Sequence, residues 1–161
     1  MWTVAPSPVG DLRIVARDDA ITAIEFSPFR PPGLDGEPLG AQEDDHPLLR
    51  SAVEQLAAYF ARDLKEFDLP LAPRGSAFQQ LVWAQLLTIG YGQTASYGEI
   101  AHRLGKTNAA SRAVGLANGR NPIPIVIPCH RVIGANGTLT GYAGGLERKQ
   151  QLLGLEQDAL F

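Results

Sequence analysis

Hydrophobic positions in this chain change their period along its length. Between residues 1 and 27 they come in short clusters: Leu12, Ile14 and Val15, then Ile21, Ile24 and Phe26. Ser7-Pro8-Val9-Gly10 and Asp18-Asp19 separate them. Short apolar groups punctuated by turn formers predict β-strands. Residues 28–46 carry Pro28, Pro31, Pro32, Gly33 and Gly36 and read as loop. From Pro47 the period becomes helical, with Leu49, Val53, Leu56, Phe60 and Leu64 at three- and four-residue steps. Pro47 suits a first helical turn, and Asp45 or His46 its cap. Residues 68–75, Asp68-Leu69-Pro70-Leu71-Ala72-Pro73-Arg74-Gly75, read as a linker, and a domain boundary is expected there.

The second half is punctuated by caps. Ser76-Ala77-Phe78-Gln79 has the form of a capping box. It opens a helix with Phe78, Val82, Leu86 and Ile89 inward, closed by Gly90 and Gly92. Ser96-Tyr97-Gly98-Glu99 repeats the pattern before a short helix with Ile100 and Leu104 inward, stopped at Gly105. Asn108 is placed to cap a further helix to about Asn118. Two short helices around a glycine turn have the outline of a helix-turn-helix, an outline many helical hairpins share. Asn121-Pro122 then turns the chain into an apolar segment ending at Cys129. Asn136-Gly137 marks a tight turn, and Gly141-Tyr142-Ala143-Gly144-Gly145 a loop. A last helix runs from Leu146 to about Glu156 with Leu146, Leu152, Leu153 and Leu155.

Composition bounds the answer without choosing it. The chain has 161 residues, 45% hydrophobic and 19% charged, enough for one large domain or two small ones. One cysteine excludes an internal disulfide and a multi-cysteine zinc site, and is compatible with a reducing cytosol. Met1-Trp2-Thr3-Val4-Ala5-Pro6 lacks the basic stretch and apolar core of a secretory signal. Prolines and charges interrupt every apolar run before the roughly 18 residues a bilayer requires. A cytoplasmic protein without a membrane partner is therefore expected. The net charge of -3 hides an asymmetry. Residues 1–75 hold seven basic and thirteen acidic side chains, and residues 76–161 seven basic and four acidic. Such a contrast fits an anionic partner on the second half, and equally a chance surface composition.

The candidate chemistry sits in Ile123-Pro124-Ile125-Val126-Ile127-Pro128-Cys129-His130-Arg131-Val132. A lone thiol beside an imidazole is either a small core residue or a nucleophile. A thiol reacts as its thiolate, so something must lower its pKa or accept its proton. His130 is the nearest base, yet neighbours on a regular strand point to opposite faces. Cooperation needs the segment to end in a turn at Cys129, or a water between the two groups; Pro128 favours an ending. A histidine base also wants a carboxylate to hold its tautomer. Glu147 and Glu156 are the best placed, and Glu156, set among leucines, would need a partner if buried.

Pro128-Cys129-His130-Arg131-Val132, with Asn121-Pro122 before it and Gly141-Tyr142-Ala143-Gly144-Gly145 after it, closely resembles the O6-alkylguanine-DNA alkyltransferases. The likeness extends upstream through Tyr97-Gly98-Glu99-Ile100-Ala101 and Arg112-Ala113-Val114-Gly115, and downstream to Lys149, Leu152-Leu153 and Glu156. It covers nearly all of residues 76–157; the first 75 resemble the family in layout. The fold it implies is α/β (α+β). Residues 1–75 would form a small sheet-plus-helix domain, ribonuclease-H-like by analogy. Residues 76–161 would form a mostly helical domain with a helix-turn-helix.

By the same resemblance Cys129 accepts an alkyl group from O6 of guanine, stoichiometrically and irreversibly, with O4-alkylthymine an open second substrate. His130 deprotonates the thiol through a bound water, Glu156 orients the histidine, and Asn121 braces the turns. Tyr97 helps rotate the nucleotide and donates to the guanine ring. Arg112 matches the finger that fills the vacated stack, although Lys106-Thr107-Asn108-Ala109-Ala110-Ser111 is a residue longer than the family's usual connection. Ser96, Tyr97, Arg112, Ala113, Gly115 and Arg120 are the DNA-binding positions. Pro124, Tyr142, Ala143 and Gly144 line the substrate pocket. The partner is double-stranded DNA, bound by a monomer in the minor groove, where sequence information is poor. A stacked O6-alkyl group must be turned out to meet a thiol. Arg103, Lys106, Arg112, Arg120 and Arg131 would attract phosphates, with Arg131 alternatively tying helices together. No cofactor is implied. The structural zinc of some relatives is not expected, because residues 1–75 hold no cysteine and only His46. The competing readings are a non-catalytic sensor of alkylated bases, a helix-turn-helix regulator, and a cysteine–histidine hydrolase.

Overall fold

The computed structural model describes residues 1–30, 38–139 and 141–158. Of the loop expected over 28–46, Pro31, Pro32, Gly33 and Gly36 lie outside the described residues. The chain divides into two compact units, Met1–Arg74 and Gly75–Phe161.

In the first unit β1 (Trp2–Ala5), β2 (Leu12–Arg17) and β3 (Ala20–Phe26) form an antiparallel sheet in the order β1-β2-β3. The Asp18-Asp19 turn uses positive φ at both residues, 50° and 63°, which aspartate tolerates better than most side chains. Leu12, Ile14 and Ala16 of the central strand are fully buried. Arg13 alternates with them and is also buried, pairing with Glu25 across the register and lying over the rings of Trp2 and Phe29. A buried arginine is tolerated here because its charge is paired and its plane is covered by aromatics.

Helix α1 (Pro47–Phe60) packs on β1 and β2, with Pro47 in its first turn and His46 as cap, Nδ1 accepting from Leu48 N at 3.2 Å. Its buried stripe is Leu49, Ala52, Leu56 and Tyr59. The expected stripe through Val53 and Phe60 is thus rotated by one position, and Leu64 lies beyond the helix end. Tyr59 is fully buried, while Val53 and Phe60 are half-buried.

The second unit begins with α2 (Ala77–Leu86), and its capping box is complete: Gln79 N donates to Ser76 Oγ and Ser76 N to Gln79 Oε1. The helix ends at Leu86, before Gly90 and Gly92, and Trp83 joins Val82 and Leu86 on its buried face while Phe78 is only half-buried. Trp83 Nε1 donates to Ala117 O at 2.9 Å, which explains how the indole is buried. After strand β4 (Ala95–Ser96) come α3 (Tyr97–Arg103), a 3₁₀ turn (Asn108–Ala110) and α4 (Ser111–Gly119). Ser96 Oγ accepts from Glu99 N at 3.1 Å, and Gly105 turns the chain at φ +74°. Asn108 opens the 3₁₀ turn rather than capping α4. Helices α3 and α4 pack together as the helix-turn-helix outline requires. A 3₁₀ turn (Cys129–Arg131), strand β5 (Val132–Ile133), parallel to β4, and helix α5 (Leu146–Asp158) complete the unit. In α5 the buried residues are Lys149, Leu152, Leu153 and Glu156, while Leu146 is exposed and Leu155 half-buried. No helix among the described residues is long and apolar enough to cross a membrane.

Ser76→Ala removes the acceptor for an otherwise orphan amide, and is expected to lower stability by about 1 kcal/mol, read as a reduced melting temperature of the second unit.

A buried cysteine, histidine and glutamate

The segment before Cys129 is a stack of turns, not a strand. Ile127 N donates to Ile123 O at 2.9 Å, closing a five-residue turn. Asn121 holds both its ends: Oδ1 accepts from Ile123 N at 3.0 Å and Nδ2 donates to Ile127 O at 2.8 Å. At the middle, Ile125 takes φ +74° while only 1% exposed. A β-branched residue pays about 1–3 kcal/mol for that conformation, so the surroundings must impose it. Pro128, at φ −81° and ψ 64°, is the centre of an inverse γ-turn closed by Cys129 N to Ile127 O at 2.8 Å. The 3₁₀ turn that follows sets successive side chains about a third of a revolution apart. Cys129 and His130 therefore escape the opposite-face constraint of a strand.

Cys129 is 3% exposed, and His130 and Glu156 are fully buried. His130 Nε2 lies 2.5 Å from Glu156 Oε2. Arg131 Nε donates to Oε1 at 2.8 Å and Nη2 to Oε2 at 3.2 Å, while Nη1 donates to Ile89 O at 2.6 Å. Gly92 N adds a bond to Oε1 at 3.2 Å from a left-handed φ of +74°. Burial pushes the Glu156 carboxyl up, yet His130 and Arg131 outweigh it and bring it from an ordinary 4.5 to about 2. The ionised carboxylate fixes the proton of His130 on Nε2 and leaves a lone pair on Nδ1. Nδ1 is buried and has no hydrogen-bond partner among the described residues. Burial holds the imidazole below its ordinary 6.5, against the pull of Glu156.

Burial also pushes the Cys129 thiol from an ordinary 9.0 up to about 11. The Asn121 side chain, the charge of Lys149 and the Tyr142 hydroxyl oppose it. Lys149 is fully buried, with Nζ 2.6 Å from Val132 O, and burial lowers its pKa. Asn118 Nδ2, from the end of α4, donates to Cys129 O at 3.3 Å. The arrangement is a protonated thiol, a neutral base held by an ionised acid, and donors ready for a sulfur anion.

Of the residues singled out from the sequence, Cys129, His130, Glu156, Asn121 and Tyr142 gather at one centre. Pro124 lies buried in the same stack of turns, Ala143 is exposed and Gly144 half-buried. Glu147 is exposed, which leaves Glu156 as the histidine's acid. Ser96, Tyr97, Arg112, Ala113, Gly115 and Arg120 are exposed or half-buried on the helix-turn-helix. The Tyr97 ring runs past Gly115, where a Cβ would stand 3.7 Å from it, and Tyr97 and Ser96 line an open cleft of about 360 Å³ with Asn108 and Ser111. Arg103 bonds Thr88 and Lys106 lies over Phe78, both at the surface. Of the two readings of Arg131 the phosphate contact is corrected: the side chain is 7% exposed and ties Glu156 of α5 to Ile89 O after α2, so it is not available to phosphate. Lys149, Asn118 and Gly92 were assigned no role from sequence. Lys149, Leu152, Leu153 and Glu156 do share helical spacing, so a lysine on an apolar stripe was a readable signal. Nothing local marks the other two.

A two-unit chain with a buried cysteine–histidine–glutamate centre and a helix-turn-helix has a defined place among known proteins. Residues 77–158 match the 6-O-methylguanine DNA methyltransferase DNA-binding domain, and residues 1–73 the ribonuclease-like domain of the same family. The chain belongs to the 6-O-methylguanine DNA methyltransferase family. It is 55% identical over 97% of its length to a methylated-DNA--protein-cysteine methyltransferase of Mycolicibacterium paratuberculosis, of which it covers 92%. It is 46% identical over 96% of its length to the protein of that name from Methanosarcina acetivorans, of which it covers 97%. The crystal structure of Mycobacterium tuberculosis OGT in complex with DNA superposes with a TM-score of 0.87 at 47% identity, covering 98% of this chain and 93% of that one.

The site makes stability depend on acid. Both depressed groups act with one sign: the unfolded chain takes a proton on His130 below 6.5 and on Glu156 below 4.5 before the folded one does. Stability present above those values is lost as the pH falls toward 2, the folded value of Glu156. Melting temperatures followed through that window should fall less steeply for Glu156→Gln than for the wild type below 4.5.

Proposed function

We propose that this protein repairs DNA by direct reversal, transferring a methyl or larger alkyl group from O6 of guanine in duplex DNA to Cys129, once per molecule. The observation that carries the reading is the buried Cys129-His130 turn, with His130 held by Glu156 and its Nδ1 left as a base. Family membership and the near-complete coverage of methylated-DNA--protein-cysteine methyltransferases support it.

The steps follow from the groups present. A thiol pushed up to about 11 does not ionise by itself at neutral pH, so His130 takes its proton, through a bridging water, as the alkyl group arrives. Asn121, Tyr142 and the Lys149 charge stabilise the sulfur anion that forms. Sγ attacks the alkyl carbon in line; the Sγ–C bond forms and the C–O6 bond breaks, its electron pair leaving with guanine. Guanine then takes a proton, for which Tyr97 is the proposed donor. The product is a thioether that no group in the site can hydrolyse, which makes the reaction stoichiometric.

Reaching the thiol requires the base to leave the stack. Arg112 would occupy the gap, with the small residues Ala113 and Gly115 letting α4 lie within the minor groove. Exposed Arg120 and half-buried Ser96 would hold the phosphates alongside. A reactive lone thiol also favours a reducing compartment, the cytoplasm.

Mass spectrometry after incubation with a duplex holding one O6-methylguanine should find a single methyl on the peptide containing Cys129. Cys129→Ala should abolish transfer and keep duplex binding. Tight binding by the wild type without an adduct would favour a sensor instead. Arg112→Ala should slow transfer from the duplex by about tenfold, equivalent to about 1.4 kcal/mol, and leave transfer from the free base unchanged. Equal losses on both substrates would contradict the finger.

A further inference from the structure

The proposed chemistry leaves Arg131 without a task. It is one residue from the proposed base, buried, and spends three nitrogens on two partners: Nε and Nη2 on Glu156, Nη1 on Ile89 O. Tyr91 lies against its guanidinium, 5.8 Å from carbon to ring centroid, and the amide of neighbouring Gly92 bonds the same carboxylate. Glu156 is therefore shared. An isolated histidine–glutamate pair would hold an added proton tightly, because the imidazolium would have the whole carboxylate charge to itself. Here a permanent cation already neutralises much of that charge.

We propose that Arg131 is a positioning residue of the alkyl transfer: by sharing Glu156 with His130 it fixes the imidazole's orientation and limits how firmly the imidazole holds a proton. This rests on the alkyl-transfer reading above. Proton and electron balance are unchanged by it. The thiol proton goes to His130 Nδ1, the electron pair of the broken C–O6 bond to guanine, and guanine gains a proton. What Arg131 sets is the ease with which the imidazolium forms and gives its proton back.

The charged and titratable groups around His130 are Glu156 and Lys149 from α5, Arg131 from its own turn, and Cys129; Tyr91 stacks on Arg131 and Tyr142 faces the thiol. Arg131 and Lys149 both disfavour the imidazolium, and Glu156 alone favours it. Burial disfavours it as well; removing the guanidinium should leave Glu156 opposed by burial and Lys149 alone, so His130 should titrate higher.

The test pairs an NMR titration of the histidines with single-turnover transfer across pH, from both the free base and the duplex, on the full chain. In the wild type His130 should titrate below 6.5, and the acid limb of the transfer rate should fall with it. Arg131→Met should move both upward. Arg131→Lys, which keeps the charge and loses the fork, should leave the limb in place and lower the rate by the same factor at every pH. Breaking a buried ion pair can unfold a protein, so Arg131→Gln, which keeps one donor for Glu156, serves where the methionine variant does not fold. A wild-type His130 titrating at or above 6.5 overturns the proposal whatever the variants do. So does a folded neutral variant that loses rate uniformly with an unmoved limb, or an Arg131→Lys limb displaced upward. Absence of transfer by the wild type at every pH would instead refute the parent reading, and the histidine titration remains readable in that case.

Discussion

A carboxylate with no solvent exposure sits at the centre of the second unit, and the local structure is arranged around the need to satisfy it. Glu156 accepts from His130, from two nitrogens of Arg131 and from the amide of Gly92. These donors come from the 3₁₀ turn that bears the cysteine and from the connection between α2 and β4, while the acid itself is on α5. Desolvating such a charge costs several kcal/mol, and only donors in good geometry offset it. Replacing a whole buried ion-pair network by apolar residues of the same volume is often neutral or stabilising, so stability is a poor reason for such a network to exist. Its chemical consequence is specific: an ionised Glu156 leaves one tautomer for His130 and turns Nδ1 toward use.

The second constraint is in the backbone. Cys129 reaches its place through consecutive tight turns, one around Ile125 in a left-handed conformation and one around Pro128. Asn121 ties the first turn at both ends, and Asn118 on α4 bonds the carbonyl of Cys129 itself. The helix that carries Arg112 and the residue that carries the thiol are thus joined by one side-chain hydrogen bond. The strain at Ile125 is held by burial and by Asn121. A strand, the simpler solution for an apolar segment, would have separated Cys129 from His130.

Elements defined by local chemistry were legible in the sequence. The Ser76–Gln79 capping box, the proline-led start of α1, the Asp18-Asp19 turn and the glycine stop at Gly105 all depend on residues within a few positions of one another. What failed depended on tertiary contacts. The buried stripe of α1 runs through Ala52 and Tyr59 because the partner surface selects the face, and alternating valine and phenylalanine signals cannot report that. Helix α2 ends at Leu86, before its glycines, and Ile89 is buried beyond the helix end. For Arg131 a phosphate contact and a structural tie both stood open, because its charge is visible in sequence and its burial is not. The pairing of Glu156 with His130 spans 26 positions. Its legibility came from a resemblance together with the oddity of an acid among leucines. Gly92 shows the limit: its contribution is a backbone amide, which every residue but proline possesses.

A thiol that is used once faces a different requirement from one that turns over. Enzymes that recycle a cysteine commonly depress its pKa so that the thiolate waits for substrate. In this centre burial drives the thiol the other way, to about 11, and the counteracting groups do not overcome it. A resting thiolate would be spent on any stray electrophile or oxidant, and each loss would cost a whole protein molecule. A buried neutral thiol with a neutral base in the same turn avoids that loss. On the proposed mechanism proton removal is coupled to the arrival of an alkyl carbon in the pocket, where Lys149, Asn121 and Tyr142, which already oppose the rise of the thiol, would stabilise charge that exists only during transfer. The same burial that makes Cys129 look like an ordinary core residue is what suits it to a single, selective reaction.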